Sequence, residues 1–320
     1  MKSRIKMKMN ITHENQGFLE LIQRWNDIIP TLYFLDVCTI SNIKKELADE
    51  SGEYKSPNAR FLRTIDTEIN GISYFPSLME RVSDQNNTLT VDGLKTEARR
   101  DLEALDLYFK KIKLVEPLDF IDRFIEEFCG GHIETSASLY HEYLNKVNSM
   151  GIADTKSQKE RLGFAKKIVD EANKLGVAQS HPVVISTIAC IYGCISAKKV
   201  LKFKTNPSAF NSSNAIGDIM LMQRVGEFTY DIESLSKGCN PRFVRTALVT
   251  DDHHLRLFYD YFFVQDFSRE KIDDGALKRF KITLEPEKVF PVLFNEDGSL
   301  KNTSCEEEYS NILRLLGGSF

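Results

Sequence analysis

Apolar positions recur along the chain in two rhythms, helical and extended, and acidic residues stand where the extended runs stop. Positions 18, 19, 21, 22, 25, 28 and 29 follow a helical period from Phe18 to Ile29, and Trp25 on that face is an expected core anchor. Thr31–Leu35 follows Pro30 and is rich in β-branched and aromatic residues, the pattern of a strand. A helix is predicted from about Ser41 to Asp49. Another opens at Ser56-Pro57, with serine as N-cap and proline in the first turn, and runs to about Ile69. Gly71–Phe75 reads as a brief extended piece, and Pro76-Ser77 opens the next helix. From Asp92 to Ala178 the period is almost wholly helical, with helices expected near Asp92–Lys113, Asp119–Phe128, Thr135–Asn148 and Thr155–Lys174.

His181-Pro182 opens an apolar helix over Val183–Cys194. Asn214–Phe228 is again helical, Arg245–Thr250 a strand, His253–Tyr259 a short helix and Tyr261–Val264 a strand. Phe280–Leu284 and Val289–Leu293 are expected to form a hairpin or edge pair. Cys305–Leu316 reads as a capped helix ending at Gly317-Gly318. This alternation belongs to the α/β class, with a short, mainly parallel sheet flanked by helices. The expected organisation is an N-terminal helix over 1–30, a core over 31–81 and 182–266, a helical insertion over 82–181 and a C-terminal extension over 267–320. The middle stretch reads as an insertion because strand-end acids occur on both sides of it.

Composition narrows the function. A net charge of -4 excludes a histone-like mode of nucleic-acid binding but permits a local basic groove. The six cysteines form no C-x-x-C pair and have no histidine cluster beside them, which argues against zinc and for free thiols in a reducing cytoplasm. The N-terminus carries Lys2, Arg4, Lys6 and Lys8 with no apolar run behind them, so no secretory signal is expected. The apolar stretch from Pro182 to Gly193 is too short to cross a bilayer, and no membrane partner is expected.

Candidate chemistry rests on four acidic words. Asp36 closes the first strand, with Thr39, Ser41 and Asn42 behind it. A helix cap is its plain alternative role, although Thr39 and Ser41 already offer caps. Glu80 stands in Ser77-x-x-Glu80, which also matches a capping box. Asp218 lies early in a helix, where the dipole favours an acid, and Asn214 shares its face four residues before. Asp251 and Asp252 end the strand that closes with Thr250. One of them caps the following helix on the plain reading, and Asp252 is the preferred site acid with Asp251 accessory. Acids at the carboxyl ends of strands point into the crevice where open α/β sheets bind ligands. Several of them together call for a divalent cation.

Other chemistry finds less support. His141-Glu142 begins a zincin motif, but Asn145 stands where the second histidine belongs. His253-His254 reads as a solvent-facing pair. No P-loop, dinucleotide fingerprint or nucleophile elbow is present. Lys198, Lys199, Lys202 and Arg245 are candidate phosphate contacts, with Arg60, Arg63, Arg99, Arg100 and Arg242 behind them; a solvated helix end accounts for the lysines equally well.

Taken in order, Leu35-Asp36 with Ser41-Asn42, Glu80, Asn214 through Asp218, and Thr250-Asp251-Asp252 with Leu255 resemble the PIN domain family of nucleases. The resemblance covers roughly Thr31–Arg81 and Pro182–Val264. It implies a three-layer α/β/α fold in which Asp36, Glu80, Asp218 and Asp252 bind Mg²⁺ or Mn²⁺ and Thr250 is the hydroxyl beside the last acid. The implied activity is phosphodiester hydrolysis, foremost of RNA, with DNA as an alternative. Many members are toxins or defence effectors, so an inhibitory or activating protein partner and a homo-oligomer are family-level expectations. A catalytically silent RNA- or protein-binding module is the rival reading. The length of 320 residues, the insertion and the extension depart from the small toxin pattern.

Overall fold

The computed structural model describes residue 25 and residues 28–84, 89–134, 136–152, 156–238, 241–272 and 275–318. Four strands form one parallel sheet: β1 (Thr31–Leu35), β2 (Gly71–Ser73), β3 (Lys113–Leu114) and β4 (Arg245–Val249), in the order β3-β2-β1-β4. All five residues of β1 are buried, because helices cover both faces of the sheet. That is why the strand reads as a continuous apolar run.

Alternation along β1 sorts the helices into two layers. Tyr33 and Leu35 face a core built with α1 (Val37–Ala48), α2 (Ala59–Ile65), α3 (Phe75–Ser83), α4 (Val91–Tyr108) and α5 (Leu118–Phe128). Leu32 and Phe34 face the other core. It draws on α6 (Ala137–Ser149), α7 (Gln158–Lys174), α8 (Pro182–Ile191), α9 (Ile195–Leu201), α10 (Ser212–Leu235), α11 (His253–Tyr261), α12 (Pro286–Val289) and α13 (Thr303–Leu315). The architecture is α/β, with a four-stranded parallel sheet and thirteen helices among the described residues, compatible with three α/β/α layers. Residues 82–181 supply the edge strand β3, with α4 and α5 on one layer and α6 and α7 on the other.

Several elements differ from the sequence expectation, each for a local reason. The helix expected from Ser41 starts at Val37, because the Asp36 carboxylate accepts the Cys38 N–H at 3.0 Å and caps it. Thr39 does not cap; its hydroxyl donates to the Val249 carbonyl at 3.2 Å. The helix expected over 56–69 shrinks to Ala59–Ile65, since Asp66 turns to collect the N–H groups of Lys110, Lys111 and Ile112. The helix expected over Asn214–Phe228 grows to 24 residues, capped by Asn211.

The C-terminal pairing is also different. β5 (Phe262–Ile272) pairs antiparallel with β6 (Gly275–Leu284) as a sheet of its own, and Val289 ends the short helix α12 rather than opening a strand. The predicted helix over Phe18–Ile29 lies largely outside the described residues. Trp25 is 64% exposed and belongs to neither core, so it is not the anchor its periodicity suggests. The five described cysteines are free thiols. Among the described residues no single helix is long and apolar enough to cross a membrane. The bent pair α8 and α9 reaches that composition, with α8 buried throughout.

Candidate functional site

The register of the sheet builds the site. Leu35 of β1 stands opposite Val249 of β4, so the next residues, Asp36 and Thr250, emerge side by side at the carboxyl ends. The Asp36 N–H completes the ladder to the Val249 carbonyl at 3.1 Å. Thr250 then donates its hydroxyl to Asp36 Oδ2, while Oδ1 holds the Cys38 N–H. Asp36 therefore caps α1 with one oxygen and holds Thr250 with the other. It is only 3% exposed, and burial raises its pKa against the lowering effect of Thr250 and the Cys38 amide.

Asp252 also has two roles. Its Oδ1 caps α11, accepting from the His254 and Leu255 N–H groups at 2.8 and 2.9 Å. Its own N–H donates to the Thr250 hydroxyl at 3.0 Å. Asp251 turns the other way. Asn42, Ser56 and Asn58 donate to its carboxylate at 2.8, 2.8 and 2.6 Å. These three donors make Asp251 a clamp between β4 and α1–α2.

Glu80 reaches the same space from α3. The capping-box alternative fails, because α3 starts at Phe75 and Ser77 lies inside the helix, donating to the Leu35 carbonyl at 2.7 Å. Arg81, the next residue, is held at 2.9 Å by Glu97 and 2.7 Å by the fully buried Asp101. Glu80 lies against Gly217 of α10, where a Cβ would stand 3.4 Å from its Cγ. Burial pushes the Glu80 carboxyl up to about 8, and repulsion from Asp36 and Asp218 adds to the effect.

Asp218 follows Gly217 on α10. Burial raises its pKa to about 7, with repulsion from Asp36 and Asp252 opposed by Lys202. The Lys202 ammonium stands 3.5 Å from Asp218 Oδ2. Lys202 ends α9 in a left-handed conformation, φ 54°, the one positive φ at a non-glycine among the described residues. That turn breaks the helical face it would have shared with Lys198. Burial disfavours its charge, yet Asp218 and Asp252 hold its pKa up.

Cys38, in the first turn of α1, marks the centre. Burial pushes its thiol up to about 12, and Asp36, Glu80, Asp218 and Asp252 all repel the thiolate. One atom therefore feels four carboxylates from four elements. Nothing in the sequence singled Cys38 out; its place two residues after Asp36 was the available signal.

The remaining candidates fall away from this point. Arg245 begins β4, about 13 Å of strand from the acidic end, and its Nε donates to the Thr31 hydroxyl at 3.0 Å. Lys198 faces Cys190 and Cys194, and Lys199 is exposed on α9. Ser41 lies within α1 and Asn214 is exposed in the first turn of α10, one turn before Asp218. Arg63 and Arg99 pair with Glu46 and Asp122 at 3.2 and 2.9 Å.

The donor chemistry fits a hard divalent cation, since carboxylate oxygens are its preferred ligands and the pocket is short of positive charge. The spacing is looser than a finished site. Among the described residues, no three Asp, Glu, His or Cys side chains are gathered closely enough to hold one ion. Lys202 supplies a compensating charge beside Asp218. Comparison with known protein families, with curated proteins and with solved structures found no match.

Proposed function

We propose that the protein is a PIN-like, Mg²⁺- or Mn²⁺-dependent nuclease, with RNA as the foremost substrate. The support for this reading is that Asp36 and Thr250 stand side by side at the carboxyl end of a parallel sheet, with Glu80, Asp218 and Asp252 near enough to Asp36 or to one another to disfavour each other's charge. Asp36, Glu80, Asp218 and Asp252 would hold the ion. Bound there, it would polarise a phosphate oxygen and lower the pKa of water.

The chain's own groups prepare the rest. Thr250 and the Cys38 amide fix the Asp36 carboxylate, and the α11 cap fixes Asp252 through Oδ1. Lys202 offers an ammonium to a phosphoryl oxygen when a strand displaces it from Asp218. No side-chain nucleophile is required, and the Cys38 thiol stays protonated at neutral pH. RNA is favoured over DNA by the family resemblance alone.

Asp36→Asn combined with Asp218→Asn is expected to abolish metal-dependent cleavage of single-stranded RNA while leaving the circular dichroism spectrum unchanged. Wild-type cleavage by that variant would remove the site assignment. The looseness of the acidic cluster favours one second reading, a silent PIN-like module that binds RNA or protein. Calorimetry with Mn²⁺ separates the two, since a silent module shows no carboxylate-dependent uptake.

A further inference from the structure

A cavity of about 690 Å³ opens beside the acidic centre, between α3, the start of α8, the middle of α10 and β6. None of the four acids lines it, but residues next to them in the chain do, along α3 and α10. Gly217 touches Glu80, Met220 lies one turn on, and Gln223 and Arg224 follow at about 10 Å from Gly217. Met79, beside Glu80, lines the cavity, and the Arg224 guanidinium is close enough to lower the Glu80 pKa.

Aromatic side chains form part of the wall. Phe75 and Phe228 lie 5.3 Å apart between centroids, and Tyr140 stacks on His181 at 4.4 Å. Their edges are polar but carry little net charge. Arg224, 5% exposed, is neutralised by Glu134 through two bonds of 2.7 and 3.0 Å. His181 accepts the Val183 N–H at Nδ1, so its proton sits on Nε2, and burial lowers its pKa to about 4, leaving the ring neutral. Gln223, 8% exposed, places its amide 3.5 Å from that Nε2, where the ring N–H calls for the amide oxygen, and its NH2 group retains hydrogen-bonding positions.

The two arginines that line it, Arg224 and Arg279, are each paired with a carboxylate, Glu134 and Glu270, and an aliphatic ligand would strand the polar edges. A planar heteroaromatic ring with a hydrogen-bonding edge suits both the aromatic wall and those edges. We propose that the cavity receives one unstacked base of a single-stranded nucleic acid whose backbone crosses the acidic centre. Stacking walls with edge-reading polar groups are the general means by which single strands are held. The inference rests on the nuclease reading and adds a base-binding subsite about two helical turns from the proposed chemistry.

The test uses the full chain carrying Asp36→Asn and Asp218→Asn, so that the strand is not cut. A short single-stranded RNA with 2-aminopurine placed at successive positions reports stacking by fluorescence quenching. One position is expected to be quenched on binding, and adding Ser180→Trp at the cavity mouth is expected to abolish that quenching and weaken binding about tenfold. Tyr140→Leu, which removes a wall instead of filling the space, is expected to act in the same direction. Quenching that survives both changes overturns the subsite and leaves the nuclease reading intact. Failure of the strand to bind at all overturns both. Adenosine monophosphate bound by the unfilled cavity, with strand binding indifferent to Ser180→Trp, overturns the strand assignment in favour of a free nucleotide.

Discussion

Lys202 is the residue on which the charge balance of the site turns. Its ammonium is the nearest cation to Asp218 and is placed there by a backbone conformation that lysine rarely adopts. In the sequence it belonged to a lysine series at a helix end, with no sign that it alone would turn inward. The missing information was the left-handed stop after Leu201. Replacing it, Lys202→Met, is expected to raise Mn²⁺ affinity about fivefold, equivalent to ~1 kcal/mol for a half-exposed ion pair. The same change is expected to lower turnover, because the phosphate loses a partner. Calorimetry and single-turnover cleavage read the two effects separately, and unchanged affinity would remove the counter-ion role.

Asp36 and Arg245 show what residue-level reading can and cannot reach. Asp36 stood out as an acid at the end of a buried apolar run, and the fold gives it the capping role that the sequence offered as its plain alternative. Arg245 was drawn in by its charge, although strand polarity puts it at the wrong end of β4. Asp251 was indistinguishable from Asp252 in sequence. Its three donors come from residues about two hundred positions away, and only the folded register brings them near.

At the scale of elements, β1, β4 and the long helices were legible, whereas β3 begins at Lys113, where the sequence was read as the end of a helix. β1 and β4 are short apolar runs bounded by breakers. The antiparallel arm of β5 and β6 was missed beyond Val264 because its residues are mixed and polar. Its attachment to α10 depends on a close approach at Gly226, where a Cβ would stand 2.9 Å from Val264 Cγ2. Gly226→Ala is expected to destabilise the fold by about 1–3 kcal/mol, through overpacking against a branched side chain. Val264→Ala in the same chain is expected to recover most of that loss. Chemical denaturation of the two single variants and the double variant checks the coupling, and strict additivity would contradict the contact.

The molecule as a whole stores like charge at one point. Glu80 and Asp218 titrate at about 8 and about 7 in the fold, against ordinary values of 4.5 and 3.8. Folding therefore holds protons that the unfolded chain releases between those limits. Their contribution to stability is fully present below about pH 4 and is lost as pH rises through 7 to 8. Metal-free protein is expected to melt at a lower temperature at about pH 8.5 than at about pH 6, and Glu80→Gln is expected to flatten that difference. Mn²⁺ is expected to restore stability most at the higher pH, where protons no longer compete. Melting curves in chelator and in Mn²⁺ measure each case; a Mn²⁺ effect that is larger at low pH would contradict the account.

The most direct measurement is anomalous diffraction from crystals grown with Mn²⁺. The account predicts a peak at the carboxyl end of β1 and β4, with oxygens of Asp36 and Asp218 drawn to about 2.1 Å and Glu80 and Asp252 closing around it. No peak there at saturating Mn²⁺, or a peak ligated by none of these four residues, would contradict it.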